Sequence, residues 1–329
     1  MTDSVETPPR PSKLLAYLRL FRLPNVFTAM ADVSMGFLFV HETLEPLRPF
    51  VWLIIASSCL YTAGMVLNDV FDIEVDRRER PERPLPSGQI NVRWARWLGL
   101  MLLVFGVIAA GIAGVREWFD SPDAFDPWRA GVVASLLATC VVLYDAGLKK
   151  TFVGPVAMGA CRFFNVLLGM STASLARADH TWFLQYSPSQ LLVAGGIGVY
   201  IVGVTWFART EATKSRRGPL LLAVAVMCLG LFLLAIFPDY DRGAFRLKLA
   251  KDWLWPVIVA LLAMPIVRRC LRAVMNPTPR RVQDAVKLCI FSLILLDAAV
   301  CLAMRGPIGI GIAALLIPSW LLGRWVYST

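Results

Sequence analysis

Between residues 67 and 88 the chain reads LNDVFDIEVDRRERPERPLPSG, and in it Asn68, Asp72 and Asp76 recur every four residues. On a helix that spacing stacks the three side chains a turn apart along one face, with Asp69 to the side of the row. Oxygen-bearing groups so placed repel one another unless a cation sits among them. Hard oxygen ligands suit Mg2+, which binds through one or two carboxylates, waters and substrate phosphates. The row is therefore suited to holding a diphosphate through a bridging metal. A solvated, charged loop helix whose acids pair with nearby arginines fits the same spacing.

The continuation separates these readings. Asn68-Asp69-x-x-Asp72-x-x-x-Asp76, followed by Arg83-Pro84-Leu85-Pro86-Ser87-Gly88, resembles the first signature of the UbiA superfamily of intramembrane prenyltransferases. Arg22-Leu23-Pro24-Asn25 is similar to the start of that family's first helix. Tyr144-Asp145-Ala146-Gly147-Leu148-Lys149-Lys150 is similar to the loop after its fourth helix, and Arg162 falls on the helix that follows. The resemblance covers about residues 20–220, and beyond them hydropathy alone supports it.

The resemblance implies that Asn68, Asp72 and Asp76 bind Mg2+ and the diphosphate of a polyprenyl diphosphate donor, with Asp72, Asp76 and Lys149 catalytic. It places Asn25, Arg83, Tyr144 and Arg162 among the residues that bind the diphosphate or the acceptor. The implied reaction moves an isoprenoid group to an aromatic, lipid or other small acceptor inside the membrane. Plainer roles stand beside these. Lys149 also reads as a topology anchor and Tyr144 as an interfacial anchor. Arg162, an ionisable residue in an apolar helix, is a functional candidate by default. It is equally a partner for a helix acid such as Asp32 or Asp297, and those acids are alternatively cavity groups that steer an acceptor.

The family carries a second aspartate-rich loop after helix six. Here residues 207–218 read FARTEATKSRRG, with Glu211 the one acid. Three readings follow from that departure. Lys214 or Arg216 replaces the charge of a second cation on the diphosphate, since fixed cationic side chains stabilise such a leaving group as metals do. Alternatively Glu211 alone holds a second Mg2+. In the third, the chain binds or carries isoprenoids without transferring them, as a transport-associated homologue, and the degenerate loop is consistent with a divergent, EboC-like branch. An ion-coupled transporter predicts inverted repeats and ionisable groups near the midplane. No convincing repeat is visible, and the densest acid cluster lies at a membrane edge.

The elements that must position these residues are written in the composition. Of 329 residues 57% are hydrophobic and 17% charged, with mean hydropathy +0.62. Soluble chains carry about 45–50% apolar and about 25% charged residues. A soluble two-domain enzyme, a disulfide scaffold and a disordered chain are excluded. Apolar runs fall at 24–40, 50–68, 94–114, 129–147, 152–173, 190–208, 219–237, 253–271, 284–303 and 307–325. Each is near the length of a span. The expectation is an all-α, polytopic transmembrane bundle of nine to ten helices around a central lipid-accessible cavity. A cytoplasmic N-terminal segment, 1–23, precedes a single integral-membrane domain, 24–329.

Arginines and lysines crowd alternate connections: Arg77 to Arg96, Lys149 and Lys150, Arg209 to Arg217, and Arg268 to Lys287. By the positive-inside rule these face the cytoplasm together with the N-terminus, and the cell (inner) membrane is the expected location. The other connections carry fewer, Arg116 and Arg129 among them. The net charge of +10 thus sets topology and meets lipid headgroups; no basic patch on a soluble module points to nucleic acid. The seven cysteines show no CxxC pair and read as small buried hydrophobes. The polar, proline-rich start lacks the apolar core of a signal peptide. His41 and His180 fall far from the motif face. Fingerprints of covalent hydrolases and nucleotide binders are missing.

Overall fold

A computed structural model describes residues 12–120, 126–173, 183–209, 216–240, 247–249 and 251–326. Each apolar run forms a helix. A short amphipathic helix, α1 (Lys13–Leu20), starts at Ser12, whose hydroxyl accepts from the Leu15 N–H at 3.3 Å. Then come α2 (Leu23–Val40), α3 (Leu47–Phe71), α4 (Ile73–Glu79), α5 (Val92–Asp120), α6 (Arg129–Ala146) and α7 (Gly154–Gly169). They are followed by α8 (Pro188–Ala208), α9 (Arg217–Ile236), α10 (Leu254–Met275), α11 (Pro279–Arg305), α12 (Gly309–Ala313) and α13 (Leu316–Val326). The tenth apolar run is thus broken into two short helices. Among the described residues, nine long helices and this broken one match the expected nine to ten. Among the described residues seven stretches combine spanning length with sufficient apolarity, the last, Pro279–Arg324, running through α11 to α13.

Helix α2 is the hub. It packs against α3, α7, α11 and α13. Its crossing with α7 is close enough to exclude side chains: a Cβ on Gly36 would lie 2.5 Å from the Val166 carbonyl oxygen, and one on Gly169 would run into that of Val33. Small residues at a membrane helix crossing let the backbones approach in this way. One turn away from this crossing, Asp32 on α2 meets Arg162 on α7. The last third of the chain then clamps both ends of α2. Ser319 donates its hydroxyl proton to the Pro24 carbonyl at 2.7 Å, and Arg305 donates to the Leu38 and Phe39 carbonyls at 2.7 and 2.9 Å.

One expectation is corrected here. Arg129 is no loop charge: it is fully buried at the start of α6, donating to the carbonyls of Ser171 and Ala173, each at 2.7 Å. Its guanidinium also lies 5.0 Å from the Tyr186 ring centroid. A buried guanidinium must find acceptors, and unpaired carbonyls at a helix end supply them.

Candidate active site

The acidic motif straddles the junction of α3 and α4. The helical ladder runs through it, with the Asp72 N–H donating to the Asn68 carbonyl at 3.0 Å and the Asp76 N–H to the Asp72 carbonyl at 2.8 Å. The row is continuous but not straight. Each four-residue step advances about 40° round a helix of 3.6 residues per turn, so two steps carry Asp76 about 80° from Asn68 and to within about 20° of Asp69. The motif therefore divides into two faces.

On the first face Asn68 and Asp72 look toward α6 and the turn after it. Lys149 Nζ lies 2.8 Å from Asp72 Oδ1, and Asn68 Nδ2 donates to Asp145 Oδ1 at 2.9 Å. Tyr144, Asp145 and Lys149 all come from the last turn of α6 and the short 3-10 turn Leu148–Lys150. Arg209 at the end of α8 fastens that turn, donating to the carbonyls of Lys149 and Thr151. Asp145 is a site residue without an expected role. Its signal is its place beside Tyr144 and four residues before Lys149.

On the second face Asp69 and Asp76 are gathered by arginines. Arg83 Nη1 lies 2.7 Å from Asp76 Oδ2 and 3.5 Å from Asp69 Oδ1, and Arg22 Nη2 lies 3.1 Å from Asp69 Oδ1. The Pro-Leu-Pro-Ser-Gly segment holds Arg83 there. Leu85 and Ile90 are buried against Ala16, Leu20, Val66 and Val70, and Ser87 donates to the Arg83 carbonyl at 2.6 Å. Gly88, at φ +73°, closes the turn in a backbone region that favours glycine.

Below the first face a cavity of about 60 Å³ opens between α3, α6 and α7. Asn68, Tyr144 and Asp145 line one part of it, and Tyr61, Arg162 and Asn165 another; most of the remaining wall is apolar. Arg162 is paired rather than free. It donates to Asp32 Oδ2 at 2.7 Å and to the Thr28 hydroxyl at 2.6 Å, and its guanidinium lies 5.5 Å from the Tyr61 ring centroid. Asn165 donates to Asp32 at 2.9 Å and accepts from Ser57 at 2.7 Å, while Asp297, fully buried on α11, faces Asp32. Asn25 is hydrogen-bonded to Tyr61, one of the wall residues.

Asn68, Asp72, Tyr144 and Lys149 are thus brought together. Asp76 and Arg83 sit beside them as a pair, Arg162 belongs to the cavity wall, and Asn25 stands behind that wall as a partner of Tyr61. Arg216 is exposed and immediately precedes α9. Glu211 and Lys214 lie outside the described residues, as does His180. His41 sits beyond the far end of α2, stacked 4.2 Å from the Phe37 ring and 3.0 Å from the Thr172 hydroxyl. Burial, and next the charge of Arg305, push its pKa down to about 4.

A sequence model described as the UbiA prenyltransferase family matches residues 29–278, most of the chain and further than residue 220. The chain belongs to the UbiA prenyltransferase family. Among its UbiA relatives, a digeranylgeranylglyceryl phosphate synthase from Saccharolobus solfataricus is 28% identical over 173 residues, 52% of this chain and 55% of that protein. A protein of the same name from Methanocaldococcus jannaschii is 39% identical over 100 residues, 29% of this chain and 34% of that one. The chain spans about half the length, or less, of the curated relatives it matches. Two solved structures share the fold. One, of a digeranylgeranylglyceryl phosphate synthase in membranes, has a TM-score of 0.61 at 20% identity, covering 89% of this chain and 99% of that one. The other, a UbiA homologue from Archaeoglobus fulgidus bound to DMAPP and Mg2+, has a TM-score of 0.56 at 16% identity, covering 86% and 99%.

Among the described residues no three His, Cys, Asp or Glu side chains converge into a metal cage. Mg2+ does not require one. Its usual set of one or two carboxylates completed by waters and substrate phosphates fits Asp72 and the Asn68 amide oxygen.

Proposed function

We propose that this chain is a Mg2+-dependent prenyltransferase that moves an isoprenoid group from a polyprenyl diphosphate to an aromatic or lipid acceptor. One observation carries this reading: the Asn68–Asp145 pair lines a largely apolar cavity, and the Asp72–Lys149 pair lies next to it, four residues further along each segment. A polar end for a diphosphate adjoins an apolar space for its tail. Membership of the UbiA family and the names of the relatives support the same activity. Those names, digeranylgeranylglyceryl phosphate synthase, favour a lipid acceptor.

Asn68 and Asp72 would hold Mg2+, with Asp76 as a further ligand, and the ion would neutralise charge gathering on the departing diphosphate oxygen. Lys149, a compact cation already paired with an acid, turns to the diphosphate and stabilises the same charge. Arg83 is shared between Asp76 and Asp69, so a diphosphate that draws Arg83 away frees the Asp76 carboxylate. The diphosphate leaves with the bonding electron pair, the allylic carbon bonds to the acceptor nucleophile, and the acceptor's proton is lost. Apolar walls between α3, α6 and α7 keep water from the allylic cation, and the Tyr144 and Tyr61 side chains line the same cavity. In the loop after α8, either Lys214 or Arg216 supplies a second cation's charge on the diphosphate, or Glu211 alone would hold a second Mg2+. Arg77, Arg78, Lys149 and Lys150 at the motif end support a cytoplasmic orientation in the cell membrane.

The test incubates purified protein in lipid with allylic diphosphates and aromatic or glyceryl-lipid acceptors, with and without Mg2+. Diphosphate release that needs Mg2+ and falls at least a hundredfold in Asp72→Ala is expected. Donor binding without release under any condition would sink the enzymatic reading and leave a carrier.

A further inference from the structure

Resting on that reading of the site, we propose that Asp145 is a positioning residue for the metal: it fixes the rotation of the Asn68 amide so that the carbonyl oxygen, not the NH2 group, is presented to Mg2+. The two ends of an asparagine amide are nearly equal in shape and opposite in chemistry. Only the oxygen can ligate a cation. An asparagine in a metal site therefore has a wrong orientation as well as a right one, a problem the neighbouring aspartate does not share.

Asp145 resolves it by being able only to accept. An ionised carboxylate has no proton to give, so Asn68 must turn its NH2 toward it. The Nδ2–Oδ1 distance of 2.9 Å shows that bond made. Among the described residues no protein donor is bonded to the amide oxygen of Asn68, which is left for another partner. Asp145 is itself well placed to enforce the choice. It is 3% exposed, so its carboxylate must keep its partners. It projects from the last turn of α6, a rigid element, into the cavity that Asn68 lines. Its backbone is joined through Gly147 to the turn that carries Lys149, which binds Asp72. One short segment thus sets both donors of the first face, Asn68 by hydrogen bond and Asp72 by charge. Outer partners that orient metal ligands typically contribute about 10–100-fold in affinity.

A double-mutant cycle tests this on the full chain in lipid nanodiscs. Mn2+ replaces Mg2+, its binding is read from the free-ion paramagnetic resonance signal, and geranyl S-thiolodiphosphate serves as a donor that does not ionise. Asp145→Leu is expected to weaken Mn2+ binding about tenfold, and Asp145→Asn, which keeps volume and an acceptor, by less. In an Asn68→Ala background, Asp145→Leu is expected to change Mn2+ binding less than twofold, because the group it orients has gone. Unchanged affinity in Asp145→Leu would overturn the inference. So would losses that multiply in the double variant, since Asp145 would then be acting directly on the ion. Should Asp145→Leu fail to fold, the cycle is run with Asp145→Ala, which also removes the acceptor, under the same criteria. Wild-type protein that binds no Mn2+ with the analogue would instead bring down the metal-dependent reading itself.

Discussion

At the scale of single residues, the site is an arrangement of opposed charges in which few groups are idle. Lys149 and Arg83 neutralise Asp72 and Asp76, so a diphosphate must compete with carboxylates for its cations. Metal and substrate therefore bind together more readily than either alone. The other end of the bundle offers a simpler test. His41 has a pKa of about 4 in the folded chain against 6.5 for a free imidazole. Between those values the unfolded chain binds a proton that the folded one refuses. Its stabilising effect is thus complete above pH 6.5 and is lost as pH falls toward 4. His41→Gln keeps a hydrogen-bonding partner for Thr172, and is expected to flatten the fall in melting temperature between pH 6.5 and 4. An identical slope in both proteins would count against that origin. Residue types and spacing make Asn68, Asp72 and Lys149 legible in the bare sequence. Asp145 and Arg129 are not, because what distinguishes them is a partner 77 residues away in one case and carbonyls more than 40 residues away in the other.

Elements follow from hydropathy with little error: ten apolar runs, ten helical segments, the last one broken. What hydropathy does not encode is azimuth. A row of every-fourth residues looks like one face in a sequence, yet its slow rotation sends Asp76 to Arg83 and Asp69. Nor does it encode distance between helices, which small residues decide. The α2–α7 crossing sets the separation of Asp32 and Arg162, and it is the place where added bulk has nowhere to go. Gly169→Val would drive a side chain into the Val33 backbone. Overpacking of this kind costs about 1–3 kcal/mol. The expected result is a lower melting temperature in detergent with weakened donor binding, whereas Gly111→Val, where a Cβ meets no atom within 4 Å, serves as control. Equal melting temperatures for the two would refute the crossing as a constraint.

Across the whole molecule, the first span is held by elements from every part of the chain, and its two ends are closed by residues more than 260 positions away. Such closure has a consequence at synthesis. Asp32 is made 130 residues ahead of Arg162, an interval of about 7–26 s at roughly 5–20 residues per second. Until α7 arrives, α2 carries a carboxyl group with no guanidinium to meet it, and an aspartate at the centre of an inserting helix costs about 2.5–3.5 kcal/mol. On this account the nascent chain commits its first span late, after the fifth has been made, and α3, joined to it by the 41–46 loop, waits with it. Ribosome-bound chains truncated before residue 162 and carrying Glu42→Cys are expected to leave that introduced thiol in the 41–46 loop open to a water-soluble thiol reagent from the side of synthesis. Chains extended through α7, and truncated chains carrying Asp32→Leu, are expected to protect it. Protection of that thiol in the truncated chain that keeps Asp32 would show that α2 inserts unaided.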